Sequence, residues 1–106
     1  MMPAPEDQPK WAFLTNHAQV LLCIADDPGI RLRDLGARVG ITERAAHRII
    51  GELEASGYLA RRRDGRRNHY TVISHARLPD SVASTQRVGD LLELLGERGR
   101  SETAGK

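Results

Sequence analysis

The sequence predicts a mainly α-helical domain with one small β-hairpin, an α+β fold whose elements follow the order helix, helix, helix, hairpin, helix. Three observations predict this fold. Apolar residues recur at helical spacing in four segments, and two short β-type runs flank the turn-forming pair Asp64-Gly65. With 106 residues and polar ends, the chain has room for one compact core only.

The first two helices are predicted from their caps and their apolar stripes. Thr15 or Asn16 can cap the first helix, and the sequence DDPG at 26–29 ends it. The second helix is expected over 32–39, and Gly40 ends it. Its inward stripe consists of Leu32, Leu35 and Val39.

A third helix is predicted from Thr42 to Ser56, with Thr42 as its N-cap and Gly57 as its C-terminal stop. Only Gly40 and Ile41 separate it from the second helix, and two helices joined by so tight a turn form a helix-turn-helix. Its buried stripe consists of Ala46, Ile49, Ile50 and Leu53.

A β-hairpin is predicted next, with strands over 58–63 and 66–73. Asp64 and Gly65 are expected to form a two-residue turn in which Arg63 pairs with Arg66. In that register one face of the ribbon is apolar at its base and basic at its tip. This face carries Leu59, Arg61, Arg63, Arg66, Asn68, Tyr70 and Val72.

A last helix is predicted from about Asp80 to Leu95, and its narrow apolar stripe has little left to cover once the small core is closed. Pairing with a second copy is therefore expected, and packing back on its own domain is the alternative. Trp11 either joins this dimer interface or covers the core. The expected interface residues are Val88, Leu91, Leu92, Leu95 and Trp11.

The predicted organisation has four parts. Residues 1–10 and 97–106 are polar and are expected to be disordered tails. Residues 11–78 are expected to form the helix-turn-helix and hairpin domain, and 79–96 a C-terminal dimerisation helix.

Arginine is concentrated where the predicted elements expose it. Of the 16 basic residues 14 are Arg, and five of these fall within seven residues of the hairpin. The second helix of a DNA-binding helix-turn-helix enters the major groove, and a basic ribbon suits the narrow, negative minor groove. The predicted DNA-binding residues are Thr42, Glu43, Arg44, Ala45, His47 and Arg48 of the helix and Arg61, Arg62, Arg63, Arg66 and Arg67 of the hairpin.

Two structural interpretations of the same residues stay open. The helix residues could be ordinary solvated positions of an amphipathic helix. In the hairpin, Arg61 or Arg67 could pair with Glu52 or Glu54.

The segment RLRDLGARVGITERAAHRIIGELEASGYLARRRDGRRNHYTV resembles the winged-helix core of the MarR and ArsR groups of bacterial transcriptional regulators. The resemblance covers about residues 14–74 and rests on the helix-turn-helix, the ELEASGYL exit and the Arg-rich wing around Asp64-Gly65. It implies a winged helix-turn-helix fold and a dimer. It also implies recognition-helix contacts from Thr42, Arg44, His47 and Arg48.

The resemblance is limited outside this core. MarR-type regulators have more helical scaffold, where their small-molecule pocket forms, so we expect no such pocket here. Metal-sensing ArsR proteins use paired Cys or clustered His and acidic ligands, whereas Cys23 is alone and the four His show no close ligand spacing. We therefore expect no metal and no cofactor.

These observations predict a sequence-specific regulator that binds double-stranded DNA, and we expect it to be a repressor. A homodimer would place its recognition helices roughly 34 Å apart and favours an inverted-repeat site. A lone buried thiol and the lack of a long apolar stretch indicate a cytoplasmic protein without a membrane partner. The alternative is a winged-helix module that binds RNA or a protein partner. An enzyme is not expected, because the sequence has no Gly-rich phosphate loop and no nucleophile elbow.

Overall fold

The computed structural model describes residues 9–96, and it confirms the predicted order of elements. The predicted tails lie outside these residues, apart from residues 9 and 10. No helix in the described range has the length and apolar character needed to cross a membrane. The helices are α1 (Asn16–Asp26), α2 (Leu32–Val39), α3 (Glu43–Ala55) and α4 (Val88–Leu95), and the strands are β1 (Leu59–Asp64) and β2 (Arg67–Val72).

Threonine caps begin two of the helices. The Thr15 hydroxyl accepts a hydrogen bond from the amide of Ala18 at 3.1 Å, so Thr15 rather than Asn16 is the cap of α1. The Thr42 hydroxyl likewise accepts from the amide of Ala45 at 3.0 Å. Each cap satisfies one of the N–H groups that a helix leaves unpaired in its first turn.

Two glycines close the turn between α2 and α3. Gly40 has a φ of 85°, a left-handed conformation that favours glycine, and its amide donates to the carbonyl oxygen of Gly36 at 2.8 Å. A Cβ on Gly36 would lie 2.7 Å from the carbonyl oxygen of Ile41. The backbones of the two helices therefore approach more closely than any other residue at position 36 would allow.

The hairpin forms, but its turn lies one residue further along than predicted. Asp64 pairs with Arg67, so Gly65 and Arg66 are the central turn residues and Arg63 pairs with Asn68 rather than Arg66. Gly65 has a φ of 65°, and no other residue type has a positive φ in the described chain. A glycine in the first central position is typical of a type II′ turn, which matches the twist of the strands. The predicted faces of the strands are unaffected, because both registers align the same alternating positions.

The hydrophobic core lies between α1, α2, α3, the base of the hairpin and the first residue of α4. Val88 is fully buried in this core, so α4 packs on its own domain through its N-terminal end. The buried apolar residues are Val20, Leu21, Cys23, Ile24, Ile30, Leu35, Ala46, Ile49, Ile50, Leu53, Leu59, Tyr70 and Val88.

The last helix is shorter than predicted. It begins at Val88 rather than near Asp80, and a single 3₁₀ turn spans Ser81–Ala83. The amides of Val88 and Gly89 donate to the carbonyl oxygens of Ala76 and Ser74 at 2.8 and 2.9 Å. These bonds fix the start of α4 against the segment that leaves the hairpin.

Candidate nucleic-acid interface

One side of α3 is held on the core and the other is open to solvent. The four predicted apolar residues of its stripe are buried, which confirms the predicted orientation of the helix. Thr42, Glu43, Arg44, His47 and Arg48 are exposed, and Ala45 is half-buried. The exposed face carries two guanidinium groups one helical turn apart, at a spacing that suits contact with the base edges or phosphates of one groove.

Arg48 is not free on this face, because Glu52 holds it. Its Nη1 donates to both carboxylate oxygens of Glu52, at 3.4 and 3.2 Å. Nε2 of His17, from α1, donates to Oε1 of the same carboxylate at 2.6 Å. The hydrogen bond from His17, followed by the interactions with Arg48, holds the pKa of Glu52 below its ordinary value. Glu52 therefore stays ionised at neutral pH and links α1 to the exposed face of α3.

The β1–β2 hairpin, here called the wing (59–72), has three anchored arginines. Nε of Arg61 lies 3.2 Å from Oε2 of Glu54, as one of the structural interpretations proposed. Arg67 donates through Nη2 to the carbonyl oxygen of Gly29 at 2.9 Å rather than to a carboxylate. Arg63 donates to the carbonyl oxygen of Gly65 at 3.1 Å. A guanidinium has five N–H groups, so each of these side chains keeps donors for a ligand.

The two remaining wing arginines differ in position. Arg66 is a turn residue at the exposed tip. Arg62 pairs with His69 across the ribbon and lines a cleft with Ile24 and Thr71, on the face opposite Arg61. Within residues 9–96, the side chains of Arg62 and Arg66 make no hydrogen bond or ion pair.

The wing and the start of α3 open onto one groove of about 510 Å³. Its other wall is the segment before and at the start of α2, which brings in Arg31 and Arg33. Neither residue is predicted from the sequence to bind DNA, because both fit the polar face of an amphipathic helix. The lining residues are Gly29, Ile30, Arg31, Leu32, Arg33, Glu43, Arg66, Arg67, Asn68 and Tyr70.

A second cavity shows that the expectation of no small-molecule pocket is not supported. This cleft, of about 220 Å³, lies between α1, α3 and the start of α4. Apolar side chains such as Phe13, Leu53 and Leu91 form most of it, and His17 and Tyr58 add polar groups. Its residues come from several distant segments, so spacing along the sequence could not reveal it.

The residues predicted for a dimer interface are placed unequally. Val88 has no exposed surface in its own chain and Leu92 packs against the core, whereas Leu95 and Trp11 are exposed at 39% and 62%. Leu91 is half-buried and lines the second cavity. Within the described residues, three other large apolar side chains are also exposed, those of Phe13, Val82 and Leu94.

Metal-ligating residues do not cluster in the part of the chain that the structure describes: no three His, Cys, Asp or Glu side chains come together there. Cys23 is a buried free cysteine. Burial raises the pKa of its thiol above the ordinary value, which keeps the thiol protonated and unreactive.

Comparison with known proteins places this geometry among transcriptional regulators. A family model described as MarR family matches residues 13–67. The fold is similar to that of the PcaV transcriptional regulator from Streptomyces coelicolor, solved in complex with its natural ligand, at 20% identity and a TM-score of 0.50, covering 87% of this chain and 70% of that one. It is also similar to the MarR family protein Rv2887 of Mycobacterium tuberculosis, solved with salicylic acid, at 23% identity and a TM-score of 0.50, covering 86% of this chain and 73% of that one. Comparison with curated protein sequences gives no match.

Proposed function

The chain belongs to the MarR family of transcriptional regulators, which bind DNA, and on that premise we propose that it reads an inverted-repeat site as a homodimer. In this proposal α3 enters the major groove and the wing contacts the adjacent minor groove. Arg44 and Arg48 read base edges, Thr42 and His47 contact phosphates or bases, and the wing arginines follow the backbone.

A single observation carries the proposed docking mode. Glu43 at the start of α3 and Arg66 at the tip of the wing line the same groove, so both elements open toward one side of the domain. A duplex lying on that side would meet α3 and the wing at the same time. The exposed guanidinium groups there match the negative charge of the phosphate backbone.

Selection of bound genomic fragments, followed by gel shifts on the selected duplex, tests this proposal. Arg44→Ala or Arg48→Ala should cost about 1–3 kcal/mol of binding free energy and relax the sequence preference at one position of each half-site. Joint replacement of Arg63 and Arg66 by alanine should weaken binding to all sequences alike. Unchanged binding in that double variant would exclude the wing contact.

The rival interpretation, a module for RNA or a protein partner, is tested in the same assay. Binding to duplex DNA should fall steeply as salt rises, and single-stranded RNA of equal length should compete poorly. Equal affinity for the RNA would overturn the DNA-reading proposal.

The homodimer is proposed to form through the outer face of α4 and the segment before α1. Leu94 is 76% exposed and Leu95 lies beside it, while Trp11 and Phe13 stack edge to face with ring centroids 4.9 Å apart. Exposed apolar side chains of this size favour association with a second copy. Leu94→Asp with Leu95→Asp should convert a dimer to a monomer in light scattering, whereas Val82→Asp, on the 3₁₀ turn, should leave the dimer intact.

We also propose that the second cavity admits a small organic ligand that controls DNA binding. Two proteins with a similar fold were solved with bound small ligands, and the apolar walls with a few polar groups found here are typical of such sites. Salicylate is a suitable first probe. It should raise the Tm of the wild type, and Leu91→Trp, which fills the cavity, should abolish that shift. An equal shift in both proteins would exclude this cavity as the site.

A further inference from the structure

We propose that the groove between the wing and the start of α2 is a binding site for a DNA phosphate, in which Arg31 and Arg33 act together with Arg66 and Arg67. Arg31 and Arg33 are not among the residues predicted from the sequence to bind DNA. The inference rests on the proposed function, since it adds a third contact element beside α3 and the wing.

The charge of the groove is the first observation. Its lining holds four guanidinium groups and one carboxylate, that of Glu43, and therefore a net charge of +3. In the described part of the chain, the side chains of Arg31, Arg33 and Arg66 form no hydrogen bond or ion pair. Like charges gathered around one groove repel one another, and a bound anion removes that repulsion.

The geometry of the groove is the second observation. Arg67 is fixed by its 2.9 Å hydrogen bond to the carbonyl oxygen of Gly29, and the amide of Tyr70 donates to the carbonyl oxygen of Pro28 at 3.0 Å. These two bonds join the wall formed by the wing to the wall formed by residues 28–33. The two walls that carry the guanidinium groups are therefore joined through the backbone before any ligand arrives. The groove does not have to be assembled on binding, which lowers the entropic cost.

The chemistry of guanidinium and the position of the groove select the ligand. Planar guanidinium groups match tetrahedral phosphate oxygens with paired hydrogen bonds, and arginine is the preferred residue for this recognition. Glu43 places one end of the groove at the start of α3 and Arg66 places the other at the wing tip. A backbone phosphate between the major groove that α3 enters and the minor groove that the wing contacts would lie over this position.

The test is fluorescence anisotropy with the duplex selected from the genome and with an unrelated duplex of the same length. Arg31→Ala with Arg33→Ala should lower the affinity about tenfold for both duplexes. The slope of log K against log salt should become shallower by roughly 1–2. The matched control is Lys10→Ala with Arg77→Ala, which also removes two exposed positive charges but lies outside the groove. It should stay within about twofold of the wild type, because exposed charges far from the ligand are screened.

Two further measurements locate the contact. Arg31→Lys with Arg33→Lys keeps the charge and the fold, so it should keep the salt slope while losing part of the affinity. Neutral methylphosphonate, placed at one phosphate at a time, should weaken the wild type at one position per half-site. The same substitution at that position should have no effect on the alanine double variant.

Three outcomes would overturn the inference. If the alanine double variant matches its control, the groove holds no phosphate, although the proposed function stands as long as the wild type binds duplex DNA. If inorganic phosphate binds the wild type but not the variant, and the two proteins bind the duplex with equal affinity, the site serves a free anion instead. If the wild type binds no duplex at all, the proposed function and the inference fail together.

Discussion

Replacing Gly36 by alanine is expected to destabilise the protein, although alanine favours helices. A Cβ at this position would lie 2.7 Å from the carbonyl oxygen of Ile41 and 3.3 Å from the carbonyl carbon of Thr42. Both atoms belong to the backbone and cannot rotate away. Because ordinary contact begins near 3.4 Å, α2 and the start of α3 would have to separate by roughly 0.7 Å.

Two opposing effects set the magnitude. Glycine to alanine inside a helix gains about 0.8–1.0 kcal/mol from propensity. Forcing an additional methyl group into a close-packed contact costs about 1–3 kcal/mol. The steric term is the larger, so Gly36→Ala should lower the free energy of unfolding by up to about 2 kcal/mol. For a domain of this size each kcal/mol corresponds to about 4–8 °C in Tm.

Gly51→Ala is the matched control. Gly51 lies in α3, and a Cβ there would meet no atom within 4 Å. The same substitution should therefore stabilise the protein by about 1 kcal/mol, with the opposite sign. Urea and thermal unfolding followed by circular dichroism measure both variants. A Gly36→Ala protein that gains stability, as Gly51→Ala should, would refute the close approach of α2 to the turn.

The packing and the charges lead to four more predictions. Leu35 is fully buried, so Leu35→Ala should cost about 2–5 kcal/mol in urea unfolding, and a cost under about 1 kcal/mol would contradict its central place in the core. Glu52→Gln removes the carboxylate that holds Arg48 and should raise duplex affinity roughly twofold to fivefold at pH 7; a lower affinity would mean that Glu52 aids binding. The hydrogen bond from His17 is the largest cause of the lowered pKa of Glu52. The pairings of its carboxylate therefore contribute fully to the free energy of unfolding above the ordinary glutamate pKa of about 4.3. That contribution is lost as pH falls through the lowered pKa. The stability difference between wild type and Glu52→Gln should not shrink between pH 7 and pH 5. Burial raises the pKa of the Cys23 thiol, so a thiol reagent should modify the native protein far more slowly than the urea-unfolded chain, and equal rates would show that the thiol is accessible.

The helix-turn-helix could be predicted from the sequence because its signals are local. Gly40 stops α2 and Thr42 caps α3 within the same few residues, and the apolar stripes indicate which faces are buried. Local signals also place the wing between Gly57 and Ile73. The core stripe of α3 was therefore predicted correctly in every residue.

Elements that depend on distant partners were predicted less well. The predicted hairpin turn lies one residue too early, because Asp-Gly is typical of a type I′ turn whereas Gly65 takes the first central position of the turn observed. The bonds of Tyr70 to Pro28 and Arg67 to Gly29, which hold β2 against another segment, have no signal in the sequence. The start of α4 was placed near Asp80, where apolar periodicity alone does not reveal a boundary. One local signal was available: the Asp90 carboxylate accepts from the amide of Arg87 at 2.9 Å, as an acidic residue in the first turn often does.

The candidate site also has a part that local sequence signals predict and a part that depends on contacts between distant segments. The exposed residues of α3 and the tip of the wing follow from periodicity and from the turn signal. The hydrogen bond of His17 to Glu52 joins residues 35 positions apart, and the Arg31 and Arg33 wall of the groove meets the wing only in the fold. Sequence patterns describe one element at a time, so contacts between elements, including both cavities, became visible only in the structure.

The two parts of the proposed recognition are fixed by different parts of the chain. Within one protomer, the bonds at Pro28 and Gly29 join the wing to the segment before α2, and the close approach at Gly36 joins α2 to the start of α3. In the proposed docking mode, one half-site is therefore read by a single connected unit. In the proposed dimer, the distance between two half-sites is set instead by the surface around Leu94 and Leu95, whose side chains are exposed. Substitutions on α4 should therefore change which half-site spacing is bound without changing the half-site sequence. Substitutions at Gly36 that loosen the contact between α2 and α3 should change which half-site sequence is bound without changing the spacing.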